Sequence, residues 1–502
     1  MELARFLREG SDQLARRSVR ATVATTAAAG LDFSVRLGSV AILARLVSPA
    51  DFGVVMMAGA AVAMAEQVRD LGLSTATLQR PDLSAAEVTN LFWINAAAGL
   101  LLAVALCALS PALAWMLGDP RLIAVTCGLA LTLPAGGLAI QHQALLGRNL
   151  RAGPLATARV GAGLASTALA IWLATRGAGY WALLWREVSR AAFLTVGTWC
   201  LLPWRPGPPR DLASIRPHLR FGADVLGSNL LGALAAGCDR LVLGAFAGPA
   251  AVGVYRQAAQ LVATPTDQLL GPLYQVAQPA LCRVQREPER YRRAYQRLLT
   301  LVSLATMPVS VFLAVFAEEA TLVLLGPGWD QAVPVVRILC IAAVFRQPVG
   351  STALLLLSRG DARGCLRLAA LNQVLLLPAV VAGAVAGPTG VAIAEVTVAA
   401  LMIAPRLRAA CVGSLVGTGD FLRTVARPLA AAALLAPALL AARHLLGGLD
   451  PAARLAGAGA IAAPLFILLW LALPGGRASA TTLLADVRTA FRPAAAPSPV
   501  CP

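Results

Sequence analysis

The chain has 502 residues, 58% of them hydrophobic and only 13% charged, with a mean hydropathy of +0.72, where a soluble domain carries about 25% charged residues. Net charge is +17, and every one of the 42 basic residues is Arg. These values exclude a water-soluble globular protein, and in so apolar a chain a basic balance points to loops held at a membrane surface rather than to nucleic acid.

At roughly 20 apolar residues per crossing with short connections, this length accommodates about 14 membrane-spanning helices and little else. Met1–Arg20 comes first, with Arg5, Arg8, Arg16, Arg17 and Arg20 spaced among Leu3, Phe6, Leu7 and Leu14. It reads as an amphipathic lead-in on the cytoplasmic leaflet, not as a cleaved signal. Apolar runs then predict spans near 22–46, 52–78, 87–116, 121–145, 154–175, 180–202, 217–245, 250–280, 294–325, 331–357, 363–385, 387–405, 424–446 and 454–474.

The connections sort by charge. One set holds Arg80, Arg148, Arg151, Arg205, Arg210, Arg216, the Arg283–Arg293 cluster, Arg359, Arg363, Arg406, Arg408 and the tail with Arg477, Arg488 and Arg492. The alternating set is poor in Arg: the turn at Asp51, Gly118-Asp119-Pro120-Arg121, Thr175–Tyr180, Gly248-Pro249, Gly326–Asp330, Gly387-Pro388 and Gly447–Arg454. Arg-rich loops stay cytoplasmic, which places both termini inside and makes the span count even. No connection is long enough for an attached ATPase or a catalytic domain.

The turn Ser48-Pro49-Ala50-Asp51-Phe52-Gly53 returns 200 residues later, where Pro249 and Gly253 repeat Pro49 and Gly53. Gln79-Arg80 is echoed by Gln285-Arg286 at an offset of 206, and Leu117-Gly118 by Leu325-Gly326 at 208. About six spans fit one repeat, an even number, so the two halves enter the membrane in the same direction and their pseudo-two-fold axis runs along the membrane normal. The expected fold is therefore an all-α polytopic membrane protein of about 14 transmembrane helices in two six-helix lobes, with two more helices appended. The expected domains are the lead-in 1–21, a first lobe 22–202, a cytoplasmic linker 203–216, a second lobe 217–410, two appended spans within 411–476, and a cytoplasmic tail 477–502.

The chemistry of soluble enzymes is missing from the sequence. It holds no GxxxxGK[ST], HExxH or GxSxG, its histidines His142, His218 and His444 lack ligand spacing, and its nine cysteines include no CxxC, so no cofactor, metal or disulfide framework is expected. What remains is ionisable residues inside apolar runs, each costing about 2.5–3.5 kcal/mol at the bilayer centre unless it faces a partner or a watery gap.

Arg36, Arg69, Arg186, Arg190, Arg240, Arg256 and Arg346 are the candidate cargo-binding residues. A guanidinium fork matches a phosphate or pyrophosphate in bidentate fashion. Asp32, Glu66, Asp70, Asp224, Asp239, Asp267 and Glu395 are candidates for ion pairing or for carrying a coupling proton or cation. Glu66/Arg69/Asp70 and Asp239/Arg240 are adjacent enough to neutralise each other as glue between helices, whereas Arg36, Arg186, Arg190 and Arg346 have fewer acids nearby in sequence. Arg159 lies in the fifth span, and Arg45 and Arg337 near span ends are expected to snorkel.

LARLVSPADFGVVMMA (Leu43–Ala58), DLGLSTATLQR (Asp70–Arg80), ALLGRNLR (Ala144–Arg151), GYWALLW (Gly179–Trp185), GVYRQAAQL (Gly253–Leu261) and PALCRVQREPERYRRAY (Pro279–Tyr295) are stretches that together resemble the Wzx-type polysaccharide flippases of the multidrug/oligosaccharidyl-lipid/polysaccharide exporter superfamily. The likeness runs over most of Leu31–Leu407 and fades over the last two spans. Where relatives often read Tyr-Ser-Arg-Ala, this chain reads Tyr255-Arg256-Gln257-Ala258, which moves an Arg by one position.

The resemblance implies two six-helix lobes plus two helices, alternating access, and transfer of undecaprenyl-pyrophosphate-linked oligosaccharide units across a bacterial inner membrane for O-antigen, capsule or exopolysaccharide assembly. It implies no enzyme activity and no cofactor. The implied partners are the lipid-linked oligosaccharide, membrane lipids, and a polysaccharide polymerase with its export machinery, without nucleic acid. A cation-coupled multidrug exporter of the same fold, a lipid II flippase and a membrane glycosyltransferase or polymerase are the alternatives; the last would need an acidic pair in a sizeable outer loop, which the chain lacks.

Overall fold

A computed structural model of the chain describes residues 14–70, 85–148, 152–209, 216–412, 414–477 and 481. Most of the lead-in, the Gln79-Arg80 member of the repeat, and Arg151, Arg210, Arg488 and Arg492 lie outside the described residues, as do the side chains of Asp70, Arg148 and Asp224.

The helices are α1 (Leu14–Leu46), α2 (Pro49–Asp70), α3 (Ala85–Leu117), α4 (Arg121–Ala130), α5 (Thr132–Arg148), α6 (Ala152–Thr175), α7 (Tyr180–Leu201) and α8 (Arg216–Arg283). They continue as α9 (Pro288–Val315), α10 (Ala317–Leu324), α11 (Ala332–Gly350), α12 (Thr352–Ser358), α13 (Ala362–Ala384), α14 (Gly387–Leu401), α15 (Ile403–Cys411), α16 (Thr418–Leu445) and α17 (Pro451–Ala472). No strand occurs among the described residues.

Backbone groups have no water to bond in lipid, so uninterrupted helices are what such runs must form. Among the described residues, ten helices or helix pairs are long and apolar enough to cross a bilayer. Not among those ten is α7, into which Arg186, Glu187 and Arg190 bring three ionised groups within two turns.

The expected spans 217–245 and 250–280 run together as α8, which breaks at Gly248, where φ is +78° and ψ 177°. Only glycine adopts that combination without strain. Four other expected spans are each interrupted once, at Leu131, Phe316, Ser351 and Met402. At Ser351 the cause is visible: Pro348 cannot donate to the helix, and the Ser351 hydroxyl bonds the Pro348 carbonyl at 2.7 Å.

The contacts divide the chain into two units. Unit 1 comprises 1–257 with 321–332 and 377–391. Within it α1 packs on α6, α6 on α7, α7 on α5, and α5 on α3, while α2 rests on α3, α4, α5 and α7. Glycines bring α3 and α5 into backbone contact: a Cβ on Gly99 would fall 2.6 Å from the Leu133 carbonyl oxygen, and one on Gly137 2.5 Å from that of Asn95. Such close approach is how helices associate in lipid, where burial of apolar surface drives nothing.

Unit 2 comprises 258–320, 333–376 and 392–502. One of its cores has Met307, Val311 and Phe316 of the α9 region interlocked with Ala431, Leu435 and Leu439 of α16 and with Ala462, Phe466 and Trp470 of α17. The two appended helices are thus built into unit 2.

Candidate functional site

In unit 1, the spacing of four on α1 sets Arg36 against Asp32 at 3.3 Å. On α7, Arg186 Nη2 lies 2.6 Å from Glu187 Oε1, and Arg190 Nε lies 3.3 Å from Oε2 of the same carboxylate. Arg186 Nη1 also donates to the Ser39 hydroxyl on α1 at 3.1 Å, which ties α1 to α7. At the end of α2, Arg69 Nη1 is 3.9 Å from Glu66 and 3.5 Å from the Leu133 carbonyl. Gly136 makes the room, since a Cβ there would fall 2.1 Å from Arg69 Nη1.

Also in unit 1, Arg256 approaches Asp239 at 3.8 Å, and Arg240 lies within electrostatic reach of both. Arg159 donates to Gln143 Oε1 at 3.4 Å. In unit 2, Arg346 of α11 pairs with Glu395 of α14 at 3.2 Å. Asp267 sits within electrostatic reach of Arg346, and Arg406 of α15 donates to Asn372 of α13 at 3.1 Å.

The four arginines with fewer acids nearby in sequence each face a carboxylate. For Arg36, Arg186 and Arg190 the acid is one turn or less away on the same helix, so it was legible in the sequence. For Arg346 it comes from 49 residues along, and no local pattern announces it. The carboxylates are also too few. Glu187 serves Arg186 and Arg190, and Asp239 serves Arg240 and Arg256, so among the described residues each trio carries one surplus positive charge. Held inside helices of membrane length, that surplus is what an anionic group would neutralise.

Arg45 and Arg337, expected to snorkel, each bond a protein group. Arg45 Nη2 donates to the Val323 carbonyl at 2.8 Å, and Arg337 pairs with Glu318 at 2.7 Å. Sequence reasoning also missed a network in unit 2 in which Arg443 holds both Glu318 and Glu319, with Nε 2.7 Å from Glu319 Oε1, and Arg454 reaches that oxygen at 3.1 Å. Its members come from α10, α16 and the start of α17, more than 100 residues apart.

A cluster of rings escaped notice too. His142 stacks on Trp199 with ring centroids 4.7 Å apart, its Nε2 lies 3.1 Å from the Trp204 carbonyl, and Phe92 meets Trp199 and Trp204 edge-on. With Trp93 donating to the Gly207 carbonyl at 2.8 Å, this cluster fastens the stretch after α7 to the first half of the chain.

In the turn between α3 and α4, the Arg121 guanidinium binds Asp119 at 2.8 Å and Asp51 at 3.4 Å. The hydrogen bond from Arg121 holds the Asp119 carboxyl below the usual carboxylate range.

Ten candidate spans among the described residues, helices broken at glycine and proline, and guanidiniums set within long helices define a polytopic α-helical membrane protein. The family described as "Polysaccharide biosynthesis protein" matches residues 42–334, more than half of the chain, and the chain belongs to that family. It is 27% identical over 363 residues to the lipopolysaccharide biosynthesis protein WzxC of Escherichia coli K12, across 70% of this chain and 72% of that one. It is 25% identical over 310 residues to the succinoglycan biosynthesis transport protein ExoT of Rhizobium meliloti, across 62% of this chain and 63% of that one. Among solved structures, the lipid II flippase MurJ in an inward closed conformation superposes with a TM-score of 0.71 at 12% identity, over 93% of this chain and all of that one. At that identity the superposition speaks for the fold.

Proposed function

We propose that the protein is a flippase, a transporter and not an enzyme, that moves lipid-linked oligosaccharide repeat units across the bacterial inner membrane for polysaccharide assembly. The resemblance read from the residues, the family match over 42–334 and the names of the relatives all support it. The observation that carries the mechanism is the surplus of guanidinium over carboxylate in the trios around Glu187 and Asp239. In a low-dielectric setting a fork of that kind favours a pyrophosphate headgroup, while the lipid tail stays in the bilayer.

In this reading about 14 spans form two six-helix lobes, 22–202 and 217–410, that alternate in access around a cationic gap, with 203–216 as linker and both termini in the cytoplasm. Arg36, Arg69, Arg186, Arg190, Arg240, Arg256 and Arg346 receive the phosphates. Asp32, Glu66, Asp70, Asp224, Asp239, Asp267 and Glu395 balance them or carry the coupling ion.

Deletion followed by lipid analysis tests the reading. Undecaprenyl-linked sugar repeats accumulating on the inner leaflet are the expected result. Drug sensitivity without such accumulation indicates a multidrug exporter of the same fold, and loss of viability with build-up of peptidoglycan precursor indicates a lipid II flippase.

A further inference from the structure

Unit 1 is the first half of the chain together with two pieces of the second, 321–332 and 377–391. Both pieces contain one of the Arg-poor turns that the charge pattern assigns to the outer face, Gly326–Asp330 and Gly387-Pro388. The first of them is fastened to the end of α1. The Trp329 indole donates to the Ala44 carbonyl at 2.9 Å, is 1% exposed, and meets the Phe52 ring edge-on at 5.5 Å. Beside it Arg45 donates to the Val323 carbonyl at 2.8 Å, and its stem fills the space over Gly326, where a Cβ would fall 2.6 Å from Arg45 Cγ.

One turn on, the two copies of the Pro-x-x-x-Gly turn cross. A Cβ on Gly53 would lie 1.7 Å from the Pro249 carbonyl oxygen, and one on Gly253 would lie 2.0 Å from that of Pro49.

These contacts are of a kind that separates easily. The carbonyl of Val323 has no helical partner, because the residue four further on is Pro327, which has no N–H. Ala44 lies in the last turn of α1, where carbonyls lack helical donors as well. Water takes up both acceptors when the side chains leave, so parting costs little net hydrogen bonding. The crossing of Gly53 and Gly253 is backbone against backbone, with no side chains to interlock. By contrast Asp51, bonded to Ser48 at 2.9 Å and to Arg121 at 3.4 Å, staples the first half's own turns together by charge. The fastening is also one-sided: the repeat puts Ala245 where Arg45 stands and Arg121 where Trp329 stands.

From this we infer that Trp329 and Arg45 are the bolt of an outer gate, closed in this structure, which parts from Ala44, Phe52 and Val323 while the Gly53–Gly253 crossing serves as its pivot. The inference rests on the transport reading above, since a gate is needed only if something passes. It goes beyond that reading by naming the side chains that must separate before cargo leaves outward.

The test places a single reporter, Met57→Cys, in the full-length protein with its nine native cysteines replaced. Met57 is 1% exposed and packs under the crossing against Gly244. Labelling by a membrane-impermeant maleimide is measured in whole cells and in inverted vesicles. Arg45→Ala and Trp329→Ala are expected to raise labelling in whole cells roughly tenfold, the factor that corresponds to about 1.4 kcal/mol of lost closure. Should Trp329→Ala not accumulate, Trp329→Phe keeps a ring on Phe52 and removes only the indole donor, and a rise is expected there too. No rise in any variant, or a rise confined to inverted vesicles, overturns the gate. Sugar-lipid analysis in the same strains reports separately on the cargo: normal sugar lipids in a deletion strain refute the transport reading even where the labelling behaves as expected.

Discussion

Arg186 Nη2 and Glu187 Oε1 are 2.6 Å apart on neighbouring positions of α7, and the same carboxylate holds Arg190 through its other oxygen at 3.3 Å. Neutralising it strands two like charges about one turn apart. Glu187→Gln is therefore expected to lower stability by about 2 kcal/mol, the scale of hydrogen bonds to a charged group. Thermal unfolding in detergent reads this directly, and an unchanged midpoint would mean that the trio is not held together by Glu187.

Removing a guanidinium has the opposite signature. Arg36→Ala and Arg186→Ala are expected to cut surface polymer at least tenfold, about 1.4 kcal/mol of lost cargo affinity, while the protein stays in the membrane at its usual level. Polymer staining and membrane immunoblots measure the two quantities. Normal polymer in both variants would dismiss the cationic site.

Glycines at two positions of α2 should respond in opposite directions. Gly53→Ala drives a methyl into the Pro249 carbonyl, an overpacking expected to cost about 3 kcal/mol. Gly59 has nothing within 4 Å of where its Cβ would be, so Gly59→Ala is expected to stabilise by about 0.5–1 kcal/mol through lost freedom in the unfolded chain. Side-by-side melting curves decide the matter.

Glu319 gathers Arg443 and Arg454 and is only 4% exposed at its side chain. Glu319→Ala leaves two guanidiniums, at the end of α16 and the start of α17, without that carboxylate, an expected loss of about 3–5 kcal/mol. Limited proteolysis should then cleave near Gly447–Leu449 faster than in the parent protein.

Asp119 makes stability depend on pH. Its folded carboxyl, bonded to Arg121, titrates below its unfolded value. The stabilisation is thus complete above the unfolded value of about 3.9 and disappears as pH falls through the lower folded one. Unfolding midpoints taken from about pH 7 down to about pH 3 should drop less steeply for Asp119→Asn than for the parent, because the variant has no such carboxyl to protonate. Parallel curves would assign the acid sensitivity to other groups.

Much of the candidate site could be read along the chain because it is local. Asp32 and Arg36, Glu66 and Arg69, and Arg186, Glu187 and Arg190 stand at helical spacings, and helical geometry alone puts such pairs on one face. The Pro49/Gly53 turn and its echo at Pro249/Gly253 were equally plain. What stayed hidden is set by distance in sequence. Arg346 with Glu395, Arg443 and Arg454 with Glu319, and Trp329 with Ala44 involve partners brought together only when helices pack, and no periodicity records which helix lies beside which. Arg45 shows the consequence: its place near a span end is plain in the sequence, but its partner, the Val323 carbonyl 278 residues along, is not.

By itself the sequence determined that this chain lives in lipid, that it is helical, which of its turns are rich in Arg, and that the Pro49/Gly53 turn returns at Pro249/Gly253. Those properties follow from hydropathy and from backbone hydrogen bonding, which in a bilayer leaves a run of apolar residues no choice but helix. The tertiary structure alone decided which guanidinium answers which carboxylate, that the two appended helices belong to unit 2, and that a turn from the second half is fastened to the end of α1. Packing in lipid is driven by close fit and by pairing of polar groups, not by burial of oil, so those choices depend on shapes that exist only after the helices have met.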